Sequence, residues 1–118
     1  VWKYHMRLRV YRTERSFGPG VSTLMRLVEE KGSLSAACKE MGMAYSKAWR
    51  IIRTAETVFG CKLLSSTIGG AHGGGAVLTP EAERLLAAYE AYCADVGTYA
   101  QGKFEDAFRF YRDLDHRP

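Results

Sequence analysis

The spacing of apolar positions changes along the chain, and each change marks an element. Trp2, Tyr4, Met6, Leu8 and Val10 alternate with Lys3, His5, Arg7 and Arg9. This period of two predicts a strand over 2–11 with one buried face and one cationic face. Phe17-Gly18-Pro19-Gly20 then interrupts the chain. Val21, Leu24, Met25 and Val28 recur at i, i+3, i+4, i+7 and predict an amphipathic helix over about 21–31, with Gly32 as its C′ residue. Ser33 is placed to cap a short helix over 34–41, whose apolar face carries Leu34, Ala37, Cys38 and Met41 before Gly42 stops it. A third helix over 45–59 presents Ala48, Ile51, Ile52, Ala55, Val58 and Phe59 on one face and ends at Gly60.

A short helix, a turn containing glycine and a second helix form a helix-turn-helix. Lys62 to Ile68 and Ala76 to Leu78 then read as two short strands, joined by Gly69-Gly70-Ala71-His72-Gly73-Gly74-Gly75. A three-helix head followed by a hairpin over 62–78 predicts a winged helix. Thr79-Pro80 is a strong helix start, and Glu81 and Glu83 suit the positive end of its dipole. The apolar seam from Ala82 to Tyr99 can continue through Phe104, Phe108 and Tyr111, giving a helix over 80–114. At 1.5 Å per residue such a helix spans ~50 Å, more than the head can cover, so part of the seam is expected to meet another chain. The fold class predicted is mainly α with a small β component. Residues 1–79 form a winged helix-turn-helix head with an N-terminal strand, and 80–118 form a long C-terminal dimerisation helix of the same domain.

Composition sharpens this picture mainly through charge. At 118 residues with 47% hydrophobic and 25% charged positions, the chain fits one globular domain, and disordered or Gly/Pro-dominated classes are excluded. The net charge of +4 is polarised. Residues 1–20 hold five basic groups against Glu14, and residues 44–62 hold Lys47, Arg50, Arg53 and Lys62 against Glu56. Residues 63–79 carry no Asp, Glu, Lys or Arg, and 80–118 are net acidic. A basic surface facing a polyanion follows. Cys38, Cys61 and Cys93 are odd in number and lack CxxC spacing. With no signal-peptide run and no apolar stretch long enough to span a membrane, the expectation is a reduced, cytoplasmic protein.

Catalytic signatures are weak. His5, His72 and His116 are scattered, Cys61 has no evident His partner, and the glycine loop matches neither GxxxxGK[ST] nor GxGxxG. The expectation is therefore no enzyme, no metal and no cofactor. On a helical wheel Ser46, Trp49, Arg50, Arg53 and Thr57 oppose the apolar face of 45–59, with Tyr45 and Lys47 on its flanks. In a major groove, Arg can bind guanine bidentately while Ser, Tyr and Lys hold phosphates. The bland alternatives are solvated arginines and a Trp49 packed against the wing or first helix. His72 and Gly73, in the wing tip, can approach phosphate or the minor groove; an exposed loop histidine is the competing reading.

Gly32-Ser33-Leu34-Ser35-Ala36-Ala37, Gly42-Met43-Ala44-Tyr45-Ser46-Lys47-Ala48-Trp49 and Gly69 to Thr79 resemble the N-terminal domain of the ModE-type molybdate-responsive transcription regulators. The match runs from about residue 17 to 95, and more distantly the chain resembles the winged head of LysR-type regulators. The resemblance implies a homodimeric, sequence-specific double-stranded DNA-binding domain. Its recognition helix and wing would lie on DNA and its long helix in the dimer interface. The chain departs from the family pattern in having Ala44 for the usual Ser, Ser65-Ser66 for a Glu-Arg pair and His72 for Lys. Arg50 and Arg53 make the recognition helix more basic than the family's. No residues match the molybdate pocket, so the resemblance covers the head without the molybdate-binding domains, and molybdate sensing is not carried over with it. The alternatives are a protein-interaction module, or a head coupled to a separately encoded sensor.

Overall fold

The computed structural model describes residues 4–67 and 75–111. Two strands, β1 (Val10–Arg12) and β2 (Arg15–Phe17), are followed by helices α1 (Pro19–Lys31), α2 (Leu34–Met41) and α3 (Tyr45–Phe59). Strands β3 (Leu64–Ser66) and β4 (Ala76–Leu78) then lead into α4 (Pro80–Ala107), and a 3-10 turn covers Arg109–Tyr111. The result is the expected winged helix-turn-helix with a long C-terminal helix.

Local chemistry sets the helix ends. Ser33 Oγ accepts the Ala36 N–H at 3.0 Å and opens α2. Gly32, Gly42 and Gly60 close α1, α2 and α3 in the left-handed region, at φ of 79°, 68° and 71°, where a Cβ would be strained. At the helix-turn-helix corner the Met43 N–H returns to the Cys38 carbonyl at 3.0 Å. The first helix begins two residues earlier than the periodicity predicts, because Pro19 serves as its opening residue rather than as a break.

The N-terminal strand is the main correction. Among the described residues of the expected strand, pairing is confined to Val10–Arg12, which runs antiparallel to a partner absent from the sequence expectation, Arg15–Phe17; Trp2 and Lys3 lie outside the described residues. Residues 4–9 form no strand, and they lie along α4. Tyr4 Oη donates to the Gly97 carbonyl at 2.6 Å, and Tyr89 Oη donates to the Leu8 carbonyl at 2.7 Å. Burial pushes the Tyr89 phenol up to about 12, so it stays a donor at neutral pH. The alternating apolar set is not a buried face: Met6 and Val10 are exposed.

A two-stranded hairpin is marginal alone, and both hairpins here are pinned by core residues. Phe17, Leu24, Met25, Val28, Ile52, Leu63 and Leu86 are fully buried, so both hairpins and helices α1, α3 and α4 share one core. The Phe17 ring meets Phe59 and Tyr89 edge-on, each at 5.0 Å. Arg26 of α1 also clamps Glu90 of α4 through two hydrogen bonds, one of them Nε to Oε2 at 2.9 Å. That contact holds the Glu90 carboxyl below its usual range.

Full burial on the fourth helix is confined, among the described residues, to its start, and further along, the N-terminal arm lies on it through Tyr4 at Gly97 and Phe104. Ala82, Leu86 and Tyr89 are its buried residues, and its 28 residues reach about 42 Å. Regular α-helix ends at Ala107, short of the expected 114, and residues 112–118 lie outside the described residues.

Phe17→Ala removes the ring shared by the first hairpin, α3 and α4. A loss of about 3–5 kcal/mol is expected in urea unfolding.

Candidate nucleic-acid interface

The third helix buries Ala48, Ile52, Ala55 and Val58 and leaves the opposite side open. Ser46, Lys47, Arg50, Arg53 and Thr57 are exposed together on it, and Tyr45 stands half-exposed at its first turn. Among the described residues no carboxylate lies within ion-pair distance of Lys47, Arg50 or Arg53.

Trp49 departs from the wheel. It is half-buried on the flank and packs against the core. Its ring meets Tyr45 edge-on at 6.3 Å, and the Arg53 guanidinium lies over it at 5.5 Å from the centroid. This cation–π contact orients Arg53 on the open face, so Trp49 acts as a support for it. Thr57 is turned inward to its own helix, donating to the Arg53 carbonyl at 3.1 Å. His72 and Gly73 lie outside the described residues.

The helix start lacks a side-chain cap. Ala44 occupies the N-cap position and no side chain caps the helix, so Ser46 does not substitute for the missing hydroxyl. The helix is held instead through its far end. Glu56 Oε2 accepts the Leu63 N–H at 2.9 Å, joining α3 to the base of the wing. Thr79 Oγ1 donates to the Lys62 carbonyl at 2.7 Å while accepting the Ala82 N–H at 3.1 Å, joining the wing base to α4.

The wing is also tied to α1. The Ala76 N–H donates to the Gly32 carbonyl at 2.9 Å, and the Thr67 N–H donates to the Gly75 carbonyl at 3.0 Å. A Cβ on Gly75 would fall 1.8 Å from Thr67 Oγ1, so glycine permits this close pairing. At least this one of the loop glycines has a structural role.

Two open grooves border the exposed face. One, of about 280 Å³, is lined by Lys47, Arg50, Ile51 and Thr54 of α3 with Arg9, Ser16 and Val21. The other is lined by Arg53, Glu56, Thr57, Gly60, Cys61 and Lys62. The sequence pattern places Arg9 on a cationic strand face but does not name it or Ser16 as a neighbour of the third helix.

Burial raises the Cys61 thiol, aided by Glu81 and Glu56, which keeps it protonated and a poor nucleophile. Among the described residues no three His, Cys, Asp or Glu side chains converge on a metal-sized site. Among those residues, too, no helix is long and apolar enough to cross a membrane.

The bacterial regulatory helix-turn-helix protein family of lysR type matches residues 22–83, from α1 into α4. The chain belongs to this family. It is similar to the molybdenum-pterin-binding protein MopB of Rhodobacter capsulatus, with 38% identity over 85 residues, covering 72% of this chain and 32% of that protein. It is 34% identical over 68 residues to the DNA-binding transcriptional dual regulator ModE of Escherichia coli K12, covering 58% and 26% of the two chains. The transcriptional regulator ModE of Haemophilus influenzae is 34% identical over 67 residues, covering 57% and 26%. The chain thus spans a third or less of these relatives. The similarity to ModE heads agrees with the resemblance carried by the motifs.

Giving this lysR-type helix its missing cap is a direct test of the local account. Ala44→Ser should raise stability by about 1 kcal/mol in chemical denaturation.

Proposed function

We propose that the chain is the DNA-binding head of a transcription regulator that acts as a homodimer on double-stranded DNA in the cytoplasm. The observation that carries this is the open face of α3, where Ser46, Lys47, Arg50 and Arg53 stand together without acidic partners. In this reading α3 enters the major groove and Arg50 and Arg53 read base edges, guanine being their natural target. Tyr45 and Lys47 hold phosphates, and Trp49 keeps Arg53 extended. The 68–75 wing, with His72 and Gly73, meets the backbone or minor groove. The head is non-catalytic and needs no cofactor to bind.

The second half of α4 supports the dimer. Beyond Tyr89 the helix buries no residue, yet Tyr92 and Tyr99 are 49% and 59% exposed on it. Large apolar side chains repeated along one helix favour a second copy, because pairing removes both seams from water. Two-fold symmetry then places half-sites ~34 Å apart or a multiple of that.

Two measurements test this reading. Against a duplex selected from a random pool, Arg50→Ala plus Arg53→Ala should weaken binding at least ~10-fold and reduce the preference over unselected DNA, with the melting temperature preserved. Unchanged affinity and preference would remove α3 from the DNA. In sedimentation the chain should run at twice its 13.2 kDa mass, and Tyr92→Glu plus Tyr99→Glu should return it to a monomer. A wild-type chain that is monomeric at all concentrations, or a variant that stays dimeric, would exclude α4 as the dimer seam.

A further inference from the structure

We propose that the β1–β2 hairpin is a second DNA-binding element, in which Arg9, Arg12 and Arg15 hold backbone phosphates along one edge of the groove that α3 occupies. This rests on the DNA-binding reading and adds to it a contact surface outside both the recognition helix and the wing.

Placement is the first argument. Phe17 fixes the hairpin against Phe59, and the arginines follow from that anchor. The Arg9 stem crosses Gly18, where a Cβ would lie 3.0 Å from Arg9 Cγ. Its Nη1 donates to Ser16 Oγ at 3.1 Å. These contacts aim the guanidinium into the groove that Lys47 and Arg50 also line. Arg12 reaches the other end of α3, with Nη1 3.6 Å from a Cβ position on Gly60, where the helix dipole favours a cation. The hairpin therefore carries positive charge along the length of one α3 flank. The opposite flank holds Trp49 and Glu56, the latter bonded to the wing base. A helix in a major groove has a phosphate backbone on each side. The wing meets one side and the hairpin the other.

Charge is the second argument. Arg12 and Arg15 are direct cross-strand partners, and like charges set opposite one another destabilise a ladder. Among the described residues no carboxylate lies within ion-pair distance of Arg7, Arg9, Arg12 or Arg15. Arg26, by contrast, is clamped by both Glu29 and Glu90. The Arg12–Arg15 pair is therefore left, among the described residues, without the carboxylate that the Arg26 site has. A polyanion relieves that repulsion, and a regularly spaced phosphate backbone matches it better than a single anion.

The test is fluorescence anisotropy with a labelled 30-base-pair duplex of random sequence, across a salt series. Release of condensed counterions makes the slope of log K against log salt steeper by about 0.9 per phosphate contact. The triple variant Arg9→Gln, Arg12→Gln, Arg15→Gln should flatten the slope by about 2–3 and weaken binding at 0.1 M salt by roughly 100-fold. Its preference for a selected duplex over random DNA should persist, which separates it from the α3 variant. The corresponding Arg→Lys triple should keep the wild-type slope, since a lysine also neutralises a phosphate. If loss of the Arg9 stem loosens the hairpin in melting, Arg12→Gln plus Arg15→Gln leaves that packing intact and should flatten the slope by about 1–2. A folded Gln variant with the wild-type slope overturns the hairpin contact while leaving the α3 reading standing. Wild-type protein that shows no salt-sensitive binding overturns both.

Discussion

Phe17 stands where three distant pieces of chain meet, its ring wholly buried and 5.0 Å from both Phe59 of α3 and Tyr89 of α4. A three-residue hairpin has too few backbone bonds to persist in water, so β1 and β2 hold their place through this one side chain. Tyr89 in turn uses its hydroxyl to hold the Leu8 carbonyl. The position of the arm, the hairpin and the flank of α3 all follow from a single buried aromatic cluster. The cations along that flank are displayed by a rigid support rather than by a loose tail.

A polar counterpart of that cluster holds the other side of α3. Glu56 binds the Leu63 N–H, Thr79 binds the Lys62 carbonyl, and Ala76 binds the Gly32 carbonyl. Each bond is local in space, but together they tie α3, the wing base, α4 and α1 into one unit. Half-exposed hydrogen bonds are individually worth about 0.5–1.5 kcal/mol. Their value here lies in geometry, since they set the direction in which the wing leaves the head.

Legibility in the sequence followed the range of the forces involved. The bounds of α2 and α3 could be read directly because Ser33, Gly42 and Gly60 act on their own neighbours. The hairpin could not. Its two-residue loop places Thr13 at φ 55° where glycine or asparagine would be the usual sign, and its second strand is three residues long. The alternating pattern before it was real, but its partner is α4 rather than a strand, and α4 lies some eighty residues further on. The face of α3 was visible as Ser46, Lys47, Arg50 and Arg53. Trp49 was displaced from it because a large ring gains more by covering the core edge than by facing water. That Arg9 and Ser16 would border Lys47 was hidden because no periodicity links them.

The arm that Tyr4 fastens to Gly97 also bears on how the chain assembles. Helices α1 to α3 are joined by short turns, so their mutual contacts close small loops and form fast. The Tyr4–Gly97 and Leu8–Tyr89 contacts span 93 and 81 residues, and their loop-closure entropy has to be met before they contribute anything. The helical head can therefore collapse first, with α4 docked by its opening turns. The arm can be fastened only once α4 is in place, because both of these hydrogen bonds are made to that helix.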